Sequence, residues 1–125
     1  MSEGLRLFLA EDGADAERLD TLTGQLRTEL RQLEVEDVRP LPAGAPPPGS
    51  RAFDVEAVGA LVVLLGQSSE VLNGVVRVVR GWLGRSDGVK RTVRLELGGD
   101  VLELTEASVA EQQRLVDLFV SRHGT

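Results

Sequence analysis

The sequence predicts a single α+β domain in which helices cover a small β-sheet. Apolar residues alternate at Leu5, Leu7 and Leu9, as in a strand, whereas leucines recur every three or four residues from Leu19 to Leu33, as in a helix. Gly98 and Gly99 separate two further alternating segments, which is typical of a β-hairpin. With 125 residues, the chain has the length of one domain, and we assign residues 1–125 to it.

The first part of the chain predicts the order strand, helix, strand and loop. The opening strand ends at Glu11, and the leucine-striped helix runs from about Asp15 to Leu33. A short strand is expected at residues 34–39. All five prolines fall within residues 40–50, so this segment is predicted to be an extended loop.

The long apolar segment from Val55 to Leu83 is predicted to be helical. Its glycines at 59, 66, 74 and 81 are spaced 7, 8 and 7 residues apart, which places them on one stripe of a helix. The polar residues at 66–69 leave open whether it is one bent helix or two. Its apolar surface is wider than the roughly 100° stripe that a surface helix needs. The excess predicts contact with a second subunit, another protein or a bilayer.

Two strands and a helix are expected after this segment. Residues 92–97 and 101–105 form the hairpin around the glycine pair. The capping-box pattern of Ser108 with Glu111 is expected to begin a final helix that ends near His123. The complete predicted order is β-α-β-loop-α-β-β-α.

Composition excludes some classes of partner and site. The net charge of −6 disfavours nucleic acid as a partner, because binding to phosphates needs clustered cations. The chain has no cysteine, which excludes disulfides and thiolate metal sites. The N-terminus has no basic region followed by a long apolar run, so we expect no secretory signal and a cytoplasmic protein.

Candidate catalytic residues are few. His123 is the only histidine, two residues from the end of the chain, where fraying is expected. Residues 84–88 match the Gly-x-Ser-x-Gly pattern around Ser86, but a helix precedes and a strand follows, the reverse of a nucleophile elbow. The acidic cluster at residues 11–17 lacks the spacing of a calcium loop. We therefore predict no enzyme activity, no catalytic residue, no cofactor and no metal site.

A predicted interface takes the place of an active site. Its residues are Gly59, Leu61, Val62, Leu65, Gly66, Glu70, Gly74, Val76, Arg77, Gly81 and Trp82. The alternative is that the same apolar segment is a core helix, since fully buried helices are apolar all round. A simple membrane span is disfavoured, because the uncharged run ends at Ser69 and Glu70 would lie in the bilayer.

A family resemblance is carried by several features of the chain. These are the opening strand Leu5–Leu9, the proline-rich loop, the run Ala60–Val63, the segment Val78–Leu83 and the hairpin Thr92–Thr105. Together they are similar to the bacterial effector-associated constant component family, small proteins encoded beside proteases and other effectors in conflict systems. The resemblance implies a non-enzymatic protein whose partner is an effector, such as a protease, encoded nearby. It supplies no catalytic residue.

Three functional hypotheses follow. The first is a non-catalytic component of a bacterial defence system, a homo-oligomer or an effector-docking protein that acts through the central apolar helix. The second is a membrane-active protein whose central helices insert after oligomerisation, so that a cytoplasmic protein becomes membrane-associated on activation. The third, a small hydrolase, is opposed by the placement of Ser86 and His123.

Overall fold

The computed structural model describes residues 4–44, 58–66, 69–85, 89–105 and 113–123. In these ranges the chain forms five strands and three helices. In chain order they are β1 (Gly4–Glu11), α1 (Ala16–Arg31), β2 (Asp37–Gly44), β3 (Val58–Leu64), α2 (Ser69–Gly84), β4 (Arg91–Leu97), β5 (Asp100–Thr105) and α3 (Gln113–His123). The predicted α+β class, single domain and helix-covered sheet are confirmed.

The five strands form one antiparallel sheet in the order β2-β3-β1-β4-β5. In the β1-α1-β2 unit, β3 lies between the two strands of the unit. In the β3-α2-β4 unit, β1 lies between the two strands. Two such interleaved units make the split βαβ arrangement of ferredoxin-like folds. The hairpin strand β5 and the helix α3 extend this arrangement at one end, so β5 is an edge strand.

The core lies between the sheet and the three helices. Leu5, Leu7 and Leu9 of β1 are fully buried on this side. The leucine stripe of α1, from Leu19 to Leu30, packs into the same cluster as the apolar residues of α2. Contacts join α1 to β1, β2 and β3, α2 to β4, and α3 to β5, and α2 also contacts both α1 and α3. The described helices therefore form one layer on one face of the sheet.

Local sequence explains where two of these elements begin or turn. Asp15 caps α1, because its side chain accepts a hydrogen bond from the backbone N–H of Arg18 at 2.8 Å. Gly98 and Gly99 turn β4 into β5 with φ angles of 58° and 88°. These left-handed angles suit a two-residue hairpin, and glycine adopts them without steric cost.

The prediction of a helix over the whole of residues 55–83 is wrong, because Val58–Leu64 is the strand β3. This strand lies inside the sheet, between β2 and β1, and is mostly buried on both faces. A strand buried on both faces shows a continuous apolar run instead of alternation, and periodicity cannot distinguish it from a buried helix. Gly66, with a φ of 74°, separates β3 from α2.

The predicted loop at residues 40–50 begins too early. The strand β2 continues through Pro40 to Gly44 and pairs with β3, with an irregular register after Leu41. Proline is tolerated here because β2 is at the edge of the sheet. Residues 45–50 of the predicted loop and the predicted capping box at 108–111 lie outside the described residues.

Candidate protein-docking surface

Several residues of the predicted interface lie in the core of the domain. Leu61, Leu65, Val76 and Trp82 have exposed fractions of 0%, 5%, 4% and 1%. They pack against α1 and the sheet in the main apolar cluster. The apolar excess that predicted a partner is thus largely buried within the chain itself, as the core alternative allowed.

The other predicted interface residues do not form one surface. Glu70, Arg77 and Gly81 are exposed on α2, whereas half-buried Val62 faces the opposite side of the sheet from Leu61. The prediction that the four glycines lie on one helical stripe is therefore wrong, since Gly59 belongs to the strand β3. The physical reason is that side-chain directions repeat every two residues in β3 but every 3.6 residues in α2, and the change occurs at Gly66.

The glycines of this segment have different environments. A Cβ atom on Gly59 would overlap Oγ1 of Thr23, and one on Gly74 would lie 3.1 Å from Cδ2 of Leu33. Both positions therefore permit close packing between elements of this chain. Gly66 and Gly81 have open space where a Cβ would lie. Gly66 is required for its backbone angle and not for packing.

The largest exposed apolar side chains of the described ranges point to a different surface. They are Val89, Val101, Leu115 and Leu118, with exposed fractions of 39%, 48%, 52% and 55%. Three of the four line one open cavity of about 340 Å³ between β5 and α3, here called the β5–α3 groove. Its described lining residues are Asp100, Val101, Leu102, Glu103, Leu115, Leu118, Phe119 and Arg122.

The sequence of α3 produces this groove by having two apolar strips. Val116 and Phe119, three residues apart, are 2% and 5% exposed and join the core. Leu115 and Leu118 precede each of them by one position and lie on the adjoining strip of the helix. Arg122 pairs with Asp100 of β5, Nε to Oδ2 at 3.1 Å, and links α3 to the strand at one end of the groove.

The strand β5 forms the other wall and is an edge of the sheet. Its pairing with β4 runs from Leu97 opposite Asp100 to Thr92 opposite Thr105. In an antiparallel ladder with a two-residue turn, the closing pair is hydrogen-bonded and the pairs alternate from there. Val101 therefore turns its backbone N–H and C=O away from β4. An edge strand beside an apolar wall can accept an added strand and bury its side chains.

Two residues of the acidic cluster at 11–17 have structural roles, Glu11 in ion pairs and Asp15 as the cap of α1. Oε1 of Glu11 lies 3.1 Å from Nε of Arg18, and Oε2 lies 3.0 Å from Nε of Arg91. Burial raises the pKa of Glu11, but the hydrogen bonds and charges of Arg18 and Arg91 outweigh it and hold the pKa below its ordinary value. Within the described ranges, no group of three or more acidic or histidine side chains is placed to hold a metal ion.

The relative position of the two candidate catalytic side chains lies outside what the structure describes. His123 is the last residue of α3, and Ser86 lies outside the described residues. The Gly-x-Ser-x-Gly segment connects α2 to β4, so a helix precedes it and a strand follows.

Of the described helices, none is long and apolar enough to cross a membrane.

Comparisons with known proteins add no assignment. The chain matches no protein-family model, no curated protein and no solved structure.

Proposed function

We propose that the protein is a non-catalytic docking module that binds an extended segment of an effector protein along the β5–α3 groove. The segment adds to the sheet as a strand next to β5, and its apolar side chains pack against Leu115 and Leu118. The single observation that carries the proposal is that these two leucines are more than half exposed beside an edge strand. Exposed apolar side chains grouped on one surface are typical of interaction sites.

Charge indicates what kind of segment fits. In the groove, Asp100 is paired with Arg122, and Oε1 of Glu103 lies 3.8 Å from Nη1 of Arg94. The field is therefore that of the whole chain, which has a net charge of −6. This field favours the approach of a basic segment over an acidic one. Because an added strand turns alternate side chains to opposite faces, we expect apolar residues alternating with lysine or arginine.

The class of effector comes from the family resemblance. A protein of this type is expected to accompany an effector of a bacterial conflict system that is encoded nearby. The resemblance rests on patterns in the sequence, whereas the groove rests on the geometry of β5 and α3. The two lines of support are independent, and both favour a binding role.

The test is a binding titration between the full chain and the product of the neighbouring effector gene. Leu118→Glu places a charge in the groove at a side chain that is 55% exposed, so the fold is retained. We expect the dissociation constant to rise about tenfold or more, as for the central residue of an interface. The matched control is Val89→Glu, which adds the same charge at an exposed apolar side chain outside the groove. Equal affinities for Leu118→Glu and wild type, with circular dichroism unchanged, would refute docking in the groove.

Self-association through the same edge is the second candidate function. It is favoured by β5 itself, whose residues 101–104 are an extended and largely apolar segment. Two copies related by a two-fold axis can pair with Leu102 opposite its own copy. Pairing centred on Glu103 would place like charges opposite each other and is disfavoured. Sedimentation velocity of the chain alone distinguishes self-association from effector docking. A dimer in the wild type that is absent in Leu118→Glu would identify a second copy as the occupant of the groove.

A further inference from the structure

A second groove lies on the other side of α3, between α3 and α2, and is here called the α2–α3 groove. Its volume is about 220 Å³, and its described lining comes from four residues of α2 and four of α3. None of these residues lines the β5–α3 groove, so the two surfaces are separate. Its floor is apolar, because Val76 and Val116 are 4% and 2% exposed and half-buried Val120 packs against the same core.

Two arginines of α2 line this groove without a carboxylate partner. Arg77 and Arg80 are three residues apart, so they lie on the same face of the helix. Across the residues that the structure describes, neither side chain forms a hydrogen bond or an ion pair. Six other described arginines each pair with a glutamate or an aspartate, namely Arg18, Arg39, Arg85, Arg91, Arg94 and Arg122. The two groove arginines are therefore available to a partner from outside the chain.

The groove is a positively charged region of an acidic chain. Among its described lining residues, Arg77 and Arg80 are cationic, and Asp117 is the one anionic residue. Oδ1 of Asp117 accepts a hydrogen bond from Nε2 of Gln113 at 2.8 Å, within α3, so one positive charge remains in excess. The chain as a whole has a net charge of −6. Because exposed charges are screened over about 8 Å at physiological salt, a group bound in the groove responds mainly to its lining.

Size and donor chemistry indicate which partner fits. The volume is below the roughly 300–1,000 Å³ of pockets that hold small molecules, so the groove suits protein side chains better than a cofactor. A guanidinium group binds a carboxylate through two parallel hydrogen bonds, and the exposed amide of Asn73 adds a further donor. An anionic membrane is disfavoured, since lipid binding takes clusters of about 4–8 basic residues.

We propose that the α2–α3 groove binds an acidic segment of a protein partner. One glutamate or aspartate of this segment pairs with Arg80 and a neighbouring one with Arg77, and the carbon atoms of their side chains lie over Val76 and Val120. The proposal does not depend on strand addition at β5, because the two grooves share no described lining residue. The protein then has two docking surfaces on the two sides of α3, one for a basic segment and one for an acidic segment.

Fluorescence polarisation with a labelled octaglutamate peptide tests this on the full chain. The reference is the same labelled peptide with serine in place of glutamate. We expect saturable binding of the acidic peptide alone, weakened at least tenfold when sodium chloride rises from about 50 mM to about 500 mM. Binding of neither peptide, or equal binding of both, would overturn the proposal. So would sedimentation with phosphatidylserine vesicles in the absence of peptide binding, which would assign the arginines to a membrane surface.

Matched variants localise the binding. Arg77→Gln and Arg80→Gln remove the groove cations one at a time, and each should raise the dissociation constant about threefold to tenfold. Glutamine is a good helix former, so both variants should keep the circular dichroism of the wild type. The control is Arg6→Gln, which changes the net charge equally at an exposed side chain of β1 outside the groove. An equal loss of affinity in the control would show that the peptide responds only to net charge, and the site would be refuted.

Discussion

Replacing Gly59 by alanine tests the close contact between α1 and the sheet. Gly59 of β3 pairs with Leu9 of β1 and lies beneath Thr23 of α1. An added Cβ would overlap Oγ1 of Thr23 and would lie 3.3 Å from Cγ of Leu9. Thr23 is buried, and its hydroxyl donates to the backbone oxygen of Leu19 at 2.6 Å. The hydroxyl cannot move away without losing this bond, so the helix or the strand must shift.

The expected magnitude follows from two opposing effects. Overpacking a dense core by a methyl group costs about 1–3 kcal/mol. Alanine also restricts the unfolded chain relative to glycine, which returns about 0.4–1 kcal/mol. We therefore expect Gly59→Ala to lower the free energy of unfolding by about 1–2 kcal/mol. For a domain of this size, each 1 kcal/mol corresponds to a fall of roughly 3–6 °C in the melting temperature.

A double-mutant cycle with Thr23→Ala, measured by urea denaturation, identifies the cause. Removing the hydroxyl removes the overlap, so Gly59→Ala should be neutral or stabilising in that background. Thr21→Ala is the matched control. Its hydroxyl also donates to a helix carbonyl, that of Glu17 at 3.2 Å, but on the exposed side of α1. The effects of Gly59→Ala and Thr21→Ala should add. An equal cost of Gly59→Ala in the wild-type and Thr23→Ala backgrounds would refute the contact as the cause.

Two further predictions concern the buried ion pair and the glycines of the central segment. Glu11→Gln leaves the buried Arg91 without its carboxylate and should cost about 3 kcal/mol in urea denaturation. Because the pKa of Glu11 is lowered from its ordinary value of 4.5 in the folded state, its contribution is complete well above pH 4.5 and is lost as the pH falls through the lowered pKa. Wild-type stability should therefore decrease below pH 4.5 more steeply than that of Glu11→Gln, and parallel curves would contradict the assignment. Gly81→Ala should raise helix stability by about 0.5–1 kcal/mol, whereas Gly66→Ala should lower stability by about 1 kcal/mol because of its positive φ. Thermal melts that show the same sign for both glycine variants would disprove this distinction.

Elements with a clear period were predictable from the sequence. The alternation at Leu5, Leu7 and Leu9 corresponds to β1, and the leucine stripe corresponds to α1. The Gly98–Gly99 pair marks the β4–β5 turn correctly, since its left-handed backbone angles are a local property. These features depend on neighbouring residues alone. That is why they could be identified without knowledge of the fold.

The missed elements depend on contacts between distant residues. β3 has no alternation because strands lie on both sides of it and both of its faces are largely buried. β2 continues past Pro40 because β3 provides a pairing partner, which local propensity cannot show. The docking surface had one visible sign, the apolar residues of α3 at 115, 116, 118, 119 and 120, which cover more of a helix than one buried stripe needs.

The two edges of the sheet are chemically unequal, and this limits how far any assembly can grow. The outer strand β2 contains Pro40 and Pro42, whose nitrogens carry no hydrogen and so cannot donate to an added strand. At the opposite edge, β5 contains no proline. Strand addition is therefore expected at one edge only, which gives a closed pair of one module with one partner strand. Open-ended stacking of sheets into a filament would require both edges to donate, and the prolines of β2 stop such growth after the first addition.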